Sequence, residues 1–489
     1  MERKTRRKIV LGVVFATAVA VPSAIAWPSL AAQTPAQTPT QTPAQAAAQT
    51  PTRAPRTVTV SSVQQLSAAL DVAVPGDRIT VAAGRYASGI IKATRSGTGD
   101  KPITISAASV GAAEIAGSAQ IQLAGVSHVV VQGFVFSSTA GLDVPVGATA
   151  NRITRNVFQG NKSGAFLSVS ADDTEVDHNM FQNKKSAGVY LQVNGPGAHG
   201  MAQRVHVHHN YFFNHQFKGD NGGESIRFGL SGRQHGDARG LIEYNLFEKA
   251  DGDSEAISVK SSNNVVRYNT LLNSRGTISL RHGWGTTVEG NFVIGGRSGI
   301  RFFGNNHTVI NNVVQDSSGL PMEVGGGEIR DDTNSTTAHE AADHCVVAFN
   351  TLVGTGGNVV KYGSGKKFPP SDVTLADNII VGKGGSAVAG TGGALKFGGN
   401  ILNGASAGTM PASGFTSADP RLARGAGTVF RLSAGSPAID AATGSFPQVT
   451  LDIDRVARTG TKDVGADEFA ASGPQARPLT TADVGPQAP

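Results

Sequence analysis

The residues best suited to chemistry in this sequence are a few charged side chains in the middle of the chain. Only 16% of the 489 residues are charged, yet residues 221–301 contain Asp253, Glu255, Lys260 and Arg281. A lysine whose pKa is lowered by nearby cations can remove a proton, and an arginine can neutralise a carboxylate on the substrate. A second proton donor then helps a glycosidic oxygen to leave. This set of residues suits β-elimination from a uronic acid polymer.

A repeat in the sequence positions these residues. An asparagine followed by two mostly apolar residues recurs with a base period near 22, at Asn156, Asn179, Asn210, Asn245, Asn269, Asn291, Asn312, Asn350, Asn378 and Asn400. This period, with loop-sized insertions, predicts a solenoid whose coils each hold a few short strands. The asparagine amide can hydrogen-bond its equivalents in adjacent coils, and asparagine tolerates the left-handed bend between strands. Leucine-rich repeats and β-propellers do not fit the pattern, so the predicted fold class is all-β, a right-handed parallel β-helix.

The repeat brings the charged residues together on neighbouring coils. Lys260 and Arg281 are 21 residues apart, about one coil, which corresponds to a spacing of about 4.8 Å along the axis. Asp253 and Glu255 are two residues apart, so both carboxylates face the same side of a strand. With an asparagine carbonyl from an adjacent coil they would form a site of hard oxygen ligands for Ca²⁺. Lys260 follows Glu255 by an odd number of residues, so a bend must intervene if both face one cleft.

The first residues predict export from the cell. Met1–Lys8 is basic and Ile9–Val21 is apolar, a pattern typical of a secretory signal peptide, here assigned to residues 1–32. Thr5–Leu11 also resembles a twin-arginine export motif. An uncleaved membrane anchor is the alternative, but Pro22 interrupts the apolar run. We therefore expect a secreted, extracellular protein without stable membrane insertion after cleavage.

The rest of the chain divides into a linker, a β-helical domain that begins with a capping helix, and a C-terminal tail. Ser62 and Gln65 form a capping box at the start of a short helix, which we expect to cap the N-terminal end of the solenoid. The predicted segments are a Thr/Pro/Ala/Gln-rich linker at 33–56, a β-helical domain at 57–469 with main coils at 57–405 and a C-terminal closing segment at 406–469, and a disordered tail at 470–489.

Charge and cysteine content exclude other classes of protein. The net charge of +6 comes entirely from the first 56 residues, so the folded body is nearly neutral. A dedicated nucleic-acid binder would carry a basic excess there, so we expect no nucleic-acid partner. The single cysteine, Cys345, excludes an intrachain disulfide framework.

Several blocks of the sequence resemble a known family. Asn221–Arg227, Ser254–Ser261 and Leu280–Gly283 are similar to signature blocks of polysaccharide lyase family 6, and Pro75–Tyr86 and Lys101–Ile105 resemble its opening coils. That family comprises alginate lyases and the dermatan-cleaving chondroitinase B. The resemblance extends from about residue 58 to residue 315, and more weakly to about residue 405.

The resemblance implies a parallel β-helix and a lyase reaction. By position it makes Lys260 the Brønsted base and Arg281 the Brønsted acid, and it places Arg227, His282 and Arg301 along the substrate groove. The calcium ligands it implies are Asn221, Asp253 and Glu255, although the family more often has glutamate where this chain has Asp253. The expected substrate is an anionic uronate polysaccharide, most of all alginate, cleaved to 4,5-unsaturated oligosaccharides.

Other functions stay open at this stage. One alternative is a lyase for dermatan sulfate or chondroitin, which needs extra basic residues around Arg227 and Arg301 to hold sulfates. A second is a non-catalytic β-helical protein for carbohydrate binding or adhesion. A third is a glycoside hydrolase, which requires two opposed carboxyl groups, and nothing in the sequence specifically pairs its candidates, Asp172 with Asp173 or Asp251 with Asp253.

Individual residues also have structural interpretations. Lys260 and Arg281 could be solvated strand residues, Asp253 and Glu255 could pair with them in a structural ladder, and Arg227 could be a partner of Glu224. His206, His208 and His209 resemble a metal cluster, but we expect an outward, non-metal role because no acidic ligand accompanies them in the sequence. An insertion at 316–345 either overhangs the groove or forms a disordered surface loop.

Overall fold

The computed structural model describes residues 53–489 except Lys218, Asp220, Asp332, Ser335 and Ser364. The predicted signal peptide at 1–32 and linker residues 33–52 lie outside the described residues. In the described part of the chain, no helix is both long and apolar enough to cross a membrane.

From Arg78 to Gly408, each coil of the chain contributes one strand to each of three parallel sheets, which confirms the predicted parallel β-helix. Sheet A contains β1 (Thr57–Val60), β2 (Arg78–Val81), β5 (Ile103–Ala107), β8 (Val129–Gln132), β11 (Arg152–Thr154), β14 (Glu175–Asp177), β17 (His206–His208), β20 (Leu241–Glu243), β23 (Val265–Arg267), β26 (Thr287–Glu289), β29 (Thr308–Ile310), β32 (Val346–Ala348), β35 (Thr374–Ala376) and β38 (Lys396–Gly398).

Sheet B follows sheet A within each coil. It contains β3 (Gly84–Tyr86), β6 (Ala113–Ile115), β9 (Phe134–Phe136), β12 (Val157–Gln159), β15 (Met180–Gln182), β18 (Tyr211–His215), β21 (Leu246–Ala250), β24 (Thr270–Leu272), β27 (Phe292–Ile294), β30 (Val313–Ser317), β33 (Thr351–Gly354), β36 (Ile379–Val381), β39 (Asn400–Asn403) and β41 (Phe415–Ser417).

Sheet C completes each coil. It contains β4 (Ile90–Lys92), β7 (Gln120–Gln122), β10 (Gly141–Val144), β13 (Leu167–Val169), β16 (Leu191–Val193), β19 (Ile226–Phe228), β22 (Glu255–Lys260), β25 (Thr277–His282), β28 (Ile300–Phe302), β31 (Met322–Val324), β34 (Val360–Tyr362), β37 (Ser386–Gly390) and β40 (Ser406–Gly408).

Stacked side chains fill the space between the sheets. Phe136, Phe158, Phe181, Phe212 and Phe247 are buried, and their ring centroids follow one another at 4.7–4.9 Å. This distance equals the spacing of hydrogen-bonded strands. Identical side chains at one phase of the repeat therefore pack as a continuous column.

The repeated asparagines form a buried ladder from Asn156 to Asn400. The Nδ2 of each donates to the Oδ1 of the next at 2.9–3.1 Å, as the sequence predicted. The left-handed bend, however, falls on the residue before the asparagine, for example His178 with φ 50° and Tyr244 with φ 51°. The asparagine itself is needed for its amide, since it satisfies buried backbone carbonyls of the turn.

A short helix covers the N-terminal end. α1 (Val63–Asp71) begins at Ser62, whose side chain accepts from the Gln65 N–H, and it buries Leu66 and Leu70. It packs against β1, β2 and β4, the first strands of the solenoid. The predicted capping helix is thus present.

The C-terminal segment does more than close the open end. A 3₁₀ helix (Ala412–Gly414) packs on β38 and β41 adds the last strand to sheet B. The chain then turns back along sheet B through an antiparallel hairpin of β42 (Leu422–Arg424) and β43 (Phe430–Leu432), joined by a second 3₁₀ helix (Ala426–Thr428). Arg424 contacts Asp316 at 3.0 Å and Arg458 contacts Asn311 at 3.0 Å. Apolar residues on the outer face of sheet B explain this path, because the returning chain buries them.

The prediction of a disordered tail at 470–489 is wrong. Val484 is 3% exposed and packs with Tyr211 and Leu246. A backbone hydrogen bond also holds this segment in place, because the N–H of Gly485 donates to the carbonyl of His209 at 2.9 Å. Arg155 also donates to the carbonyl of Ala488 at 2.6 Å. Small and proline-rich composition suggested disorder, but one apolar anchor and these hydrogen bonds order the segment.

Candidate active site

Two irregularities in sheet C set the geometry of the predicted site. The ladder between β22 and β25 shifts between Glu255 and Ile257, which makes Ala256 an extra residue on β22. It shifts again between Val259 and Lys260, which makes Arg281 an extra residue on β25. Such β-bulges redirect side chains and occur often beside active sites. The first shift is the bend that the sequence required between Glu255 and Lys260.

The outward row of sheet C carries the flanking arginines. Arg227, Ser258, Ser279 and Arg301 occupy aligned positions on β19, β22, β25 and β28. Adjacent strands are about 4.8 Å apart, so the two arginines bracket the coils that carry Lys260 and Arg281. The structure thus brings five of the predicted residues, including Glu255, to one face.

Lys260 is held beside a buried carboxylate. It is 4% exposed, and its Nζ lies 3.3 Å from Oε1 of Glu224. Burial lowers the pKa of Lys260; Glu224 and Glu255 oppose this effect, while Arg227 and Arg281 add to it. A lysine with a lowered pKa is more often neutral, which a general base requires.

Arg281 and Arg301 converge on Glu255. Nη1 of Arg281 donates to Oε1 of Glu255 at 3.1 Å, and Nη2 of Arg301 contacts the same oxygen. The Arg281 side chain keeps 29% of its surface exposed. Its Nε is buried without a hydrogen-bond partner among the described residues. The exposed part of this side chain is therefore the part that can reach a substrate oxygen.

Glu224 is the site residue that sequence reasoning underrated. It is 1% exposed and accepts two hydrogen bonds from Arg227, at 2.8 and 2.6 Å, besides its contact with Lys260. Burial alone would raise the pKa of Glu224, but Arg227 and Lys260 outweigh it and the pKa is lowered. Arg227 therefore has the structural partner considered in the sequence, and that partner also positions Lys260. The sequence did contain a signal for Glu224, since this residue lies within the Asn221–Arg227 block that resembles the family.

The predicted calcium ligands differ in burial and in hydrogen-bond partners. Asp253 is 3% exposed and accepts from the Gly223 N–H at 3.3 Å, whereas the Asn221 side chain is exposed. Burial, and then Glu224 and Glu255, raise the pKa of Asp253. The carboxylate of Glu255 already accepts from both arginines and from Ser258.

Two of the three carboxylates at the site are paired with cations of the protein. Arg227 and Lys260 contact Glu224, and Arg281 and Arg301 contact Glu255, whereas the ion pairs of the described residues include none for Asp253. In the described residues, the groups close enough to share an ion lie elsewhere, at Glu175, Asp177 and His208, and at Asp452, Asp454 and Asp467. Ca²⁺ at Asn221, Asp253 and Glu255 would thus have to displace Arg281 or Arg301 from Glu255.

His282 and the insertion border the site on one side. Nε2 of His282 lies 3.1 Å from Oγ of Ser231, and its ring centroid is 5.5 Å from that of His339. His339 stacks on Phe303 at 4.3 Å, and burial followed by the charge of Arg281 lowers its pKa to about 4. His339 belongs to the insertion at 316–345, so this insertion packs beside the predicted groove.

Hydrogen bonds hold the insertion in place. Oε2 of Glu340 accepts from Nε1 of Trp284 at 2.6 Å, and Nε2 of Gln234 donates to the Thr336 carbonyl at 2.5 Å. Trp284 and Gln234 belong to loops that follow the sheet C strands β25 and β19. The insertion therefore spans several coils along one edge of sheet C.

The histidines at 206–209 lie on another sheet. His206 and His208 share the outward face of β17 in sheet A, where they pair with Glu243 at 2.9 Å and Glu175 at 3.0 Å. The outward orientation was predicted. The expectation that no acidic group accompanies them is wrong, because strand stacking supplies acids distant in sequence.

Comparisons with known proteins agree with this geometry. A family model described as Chondroitinase B matches residues 60–383. A search of curated protein sequences finds no match. The polysaccharide lyase family 6 alginate lyase AlyGC is 25% identical, with a TM-score of 0.68 over 78% of this chain and 56% of its own. The chain thus spans little more than half the length of that relative.

Two further solved structures are similar. A mannuronic acid specific family 6 lyase from human gut microbiota is 26% identical, with a TM-score of 0.63 over 74% of this chain and 91% of its own. The family 6 polysaccharide lyase Pedsa3628 from Pseudopedobacter saltans shares the fold, with 20% identity and a TM-score of 0.62 over 88% of this chain and 98% of its own. Fold and sequence are thus similar to those of β-helical polysaccharide lyases. The chain belongs to the Chondroitinase B family, the polysaccharide lyase family 6 type.

Proposed function

We propose that this protein cleaves alginate by β-elimination and releases 4,5-unsaturated oligosaccharides. The observation that carries the proposal is that a buried Lys260, whose pKa is lowered, lies near Arg281, the bulge residue of the next coil. The relatives with the highest identity reported above support the substrate, since one is an alginate lyase and another is specific for mannuronic acid.

The reaction begins with binding of the uronate carboxylate. Arg281 and Arg301 lie close together, because both contact the same oxygen of Glu255. One of them donates to the substrate carboxylate, which makes the proton on the adjacent C5 more acidic. Arg227 and His282 contact the sugars on either side in this proposal.

Proton transfer then breaks the glycosidic bond. Neutral Lys260 takes the C5 proton, the C5–H electron pair forms the C4–C5 double bond, and the C4–O4 bond breaks. Arg281 supplies a proton to the departing O4, and solvent returns the proton from Lys260 to restore both groups. Glu224 remains ionised and holds Lys260 in place. No step of this proposal uses a metal ion.

A dermatan sulfate or chondroitin lyase is the second candidate. The observation in its favour is that Arg275 and Arg297 line a pocket together with Arg301, which provides the extra basic residues that a sulfated polymer needs. The name of the matching family model supports this candidate too. We also propose that the protein acts outside the cell, on the strength of the basic and apolar stretches at its N-terminus.

One experiment separates these functions. The protein is incubated with polymannuronate, polyguluronate and dermatan sulfate, with and without a chelator, and the products are followed by ultraviolet absorbance and mass spectrometry. Unsaturated products from either alginate block support the proposal. Cleavage of dermatan alone selects the second candidate. Saturated products indicate a hydrolase, and binding without turnover indicates an adhesin.

A further inference from the structure

A basic pocket lies along the starts of β22, β25, β28 and β31, the two coils of the proposed catalytic pair and the two coils that follow. Its volume is about 280 Å³, and its lining includes Arg275, Arg297, Arg301 and Glu323. Arg301 is also the residue that contacts Glu255, the carboxylate bound by Arg281. The pocket is therefore continuous with the proposed active site on the side of the C-terminal coils.

The two arginines outside the catalytic cluster occupy equivalent turns. Arg275 lies in the turn before β25, and Arg297 lies in the turn before β28, 22 residues later. This separation is one coil, or about 4.8 Å along the axis. A pyranose unit of an extended chain spans a similar distance. Successive sugars of a bound polymer can thus face successive turns.

The lining of the pocket has more cationic than anionic side chains. It includes three arginines and one carboxylate, that of Glu323. Arg301 is engaged by Glu255, and Nη1 of Arg275 donates to the Gly219 carbonyl at 3.0 Å. Arg297 is exposed and forms no hydrogen bond or ion pair through its side chain in the described part of the chain.

Other side chains that line the pocket could contact the ring and the hydroxyl groups of a bound sugar. Leu320 is half-buried and offers an apolar surface to a ring face, while Ser254 and Ser298 offer hydroxyl groups. Glu323 can accept from sugar hydroxyls, and it would repel a second anionic group on the same sugar. The pocket therefore matches a sugar that carries one anionic group.

We propose that this pocket is a subsite for the carboxylate of the uronate residue next to the cleaved bond, and that Arg297 is its specificity-determining residue. The proposal rests on the proposed function, since it places a second sugar of the same polymer beside the reactive one. A guanidinium and a carboxylate form a strong, charge-assisted hydrogen bond. Arg297 would then contribute to affinity without taking part in bond breaking.

The test compares Arg297→Ala with Arg78→Ala. Arg78 is an exposed arginine on β2 of sheet A, so its replacement removes the same charge far from sheet C. We expect Arg297→Ala to raise KM for alginate roughly tenfold, the effect of one charge-assisted hydrogen bond, with kcat unchanged. Arg297→Lys should recover part of the loss. Equal KM values for Arg297→Ala and Arg78→Ala would overturn the proposal.

A binding measurement separates this proposal from the reaction. Calorimetric titration of uronate oligosaccharides into Lys260→Ala and into Lys260→Ala/Arg297→Ala reports affinity without turnover. Weaker binding by the double variant supports the subsite. This holds even if the wild-type protein cleaves none of the polymers, a result that would refute the proposed function alone. If the double variant loses affinity for dermatan sulfate but keeps it for alginate oligosaccharides, the pocket recognises sulfate and the carboxylate proposal is wrong.

Discussion

Lys260 lies opposite His282 in the ladder between β22 and β25, and not opposite Arg281. The reason is that Arg281 is the extra residue of a β-bulge, while the buried neighbours Val259 and Leu280 keep the regular pairing. The bulge leaves Arg281 free to turn towards Glu255. The proposed base and the proposed acid, from adjacent coils, can thus reach one sugar without disturbing the core.

The first prediction concerns this pair. Lys260→Ala and Arg281→Ala should each reduce formation of the unsaturated product by at least about 100-fold, because each removes a group that moves a proton. Far-UV circular dichroism should not change, since both side chains point away from the core column. Lys101→Ala, at an exposed turn, is the control for loss of a positive charge. Wild-type turnover by either variant would show that the roles are assigned wrongly.

The second prediction concerns pH. Glu224 raises the pKa of Lys260, so Glu224→Gln should lower that pKa. Lys260 acts when deprotonated, and the rising limb of kcat against pH should therefore move to lower pH in the variant. Glu114→Gln removes a carboxylate on sheet B in an early coil and should leave the limb in place. A shift of the limb to higher pH in Glu224→Gln would contradict the proposed role of Lys260.

Sequence spacing predicted the coils, the asparagine ladder and the placement of Lys260 and Arg281 on adjacent strands. It could not predict the bulges at Ala256 and Arg281, because a register shift depends on how two strands exchange hydrogen bonds. The engagement of Glu255 by two arginines was equally hidden, since Arg301 is 46 residues away in sequence. Side chains brought together by stacking leave no local signal in the sequence.

The third prediction concerns the asparagine ladder. Nδ2 of Asn269 donates to Oδ1 of Asn291 and to the Ile242 carbonyl, and its Oδ1 accepts from Asn245. Asn269→Ala should leave buried polar groups unpaired and lower the free energy of unfolding by about 1–3 kcal/mol. Thermal denaturation followed by circular dichroism measures the change. The exposed Asn161→Ala serves as control, and equal midpoints for the two variants would show that the ladder does not stabilise the fold.

The last prediction concerns calcium. Glu255 is already neutralised by Arg281 and Arg301, so binding of Ca²⁺ there would require displacement of a guanidinium. We therefore expect activity on alginate to persist after chelation, and Asp253→Asn to respond to chelator as the wild type does. Added Ca²⁺ should leave the melting temperature unchanged, because a ligand that binds only the folded state would raise it. Loss of activity on chelation with recovery on adding Ca²⁺, or a calcium-dependent rise in melting temperature that Asp253→Asn abolishes, would restore Asn221, Asp253 and Glu255 as a metal site.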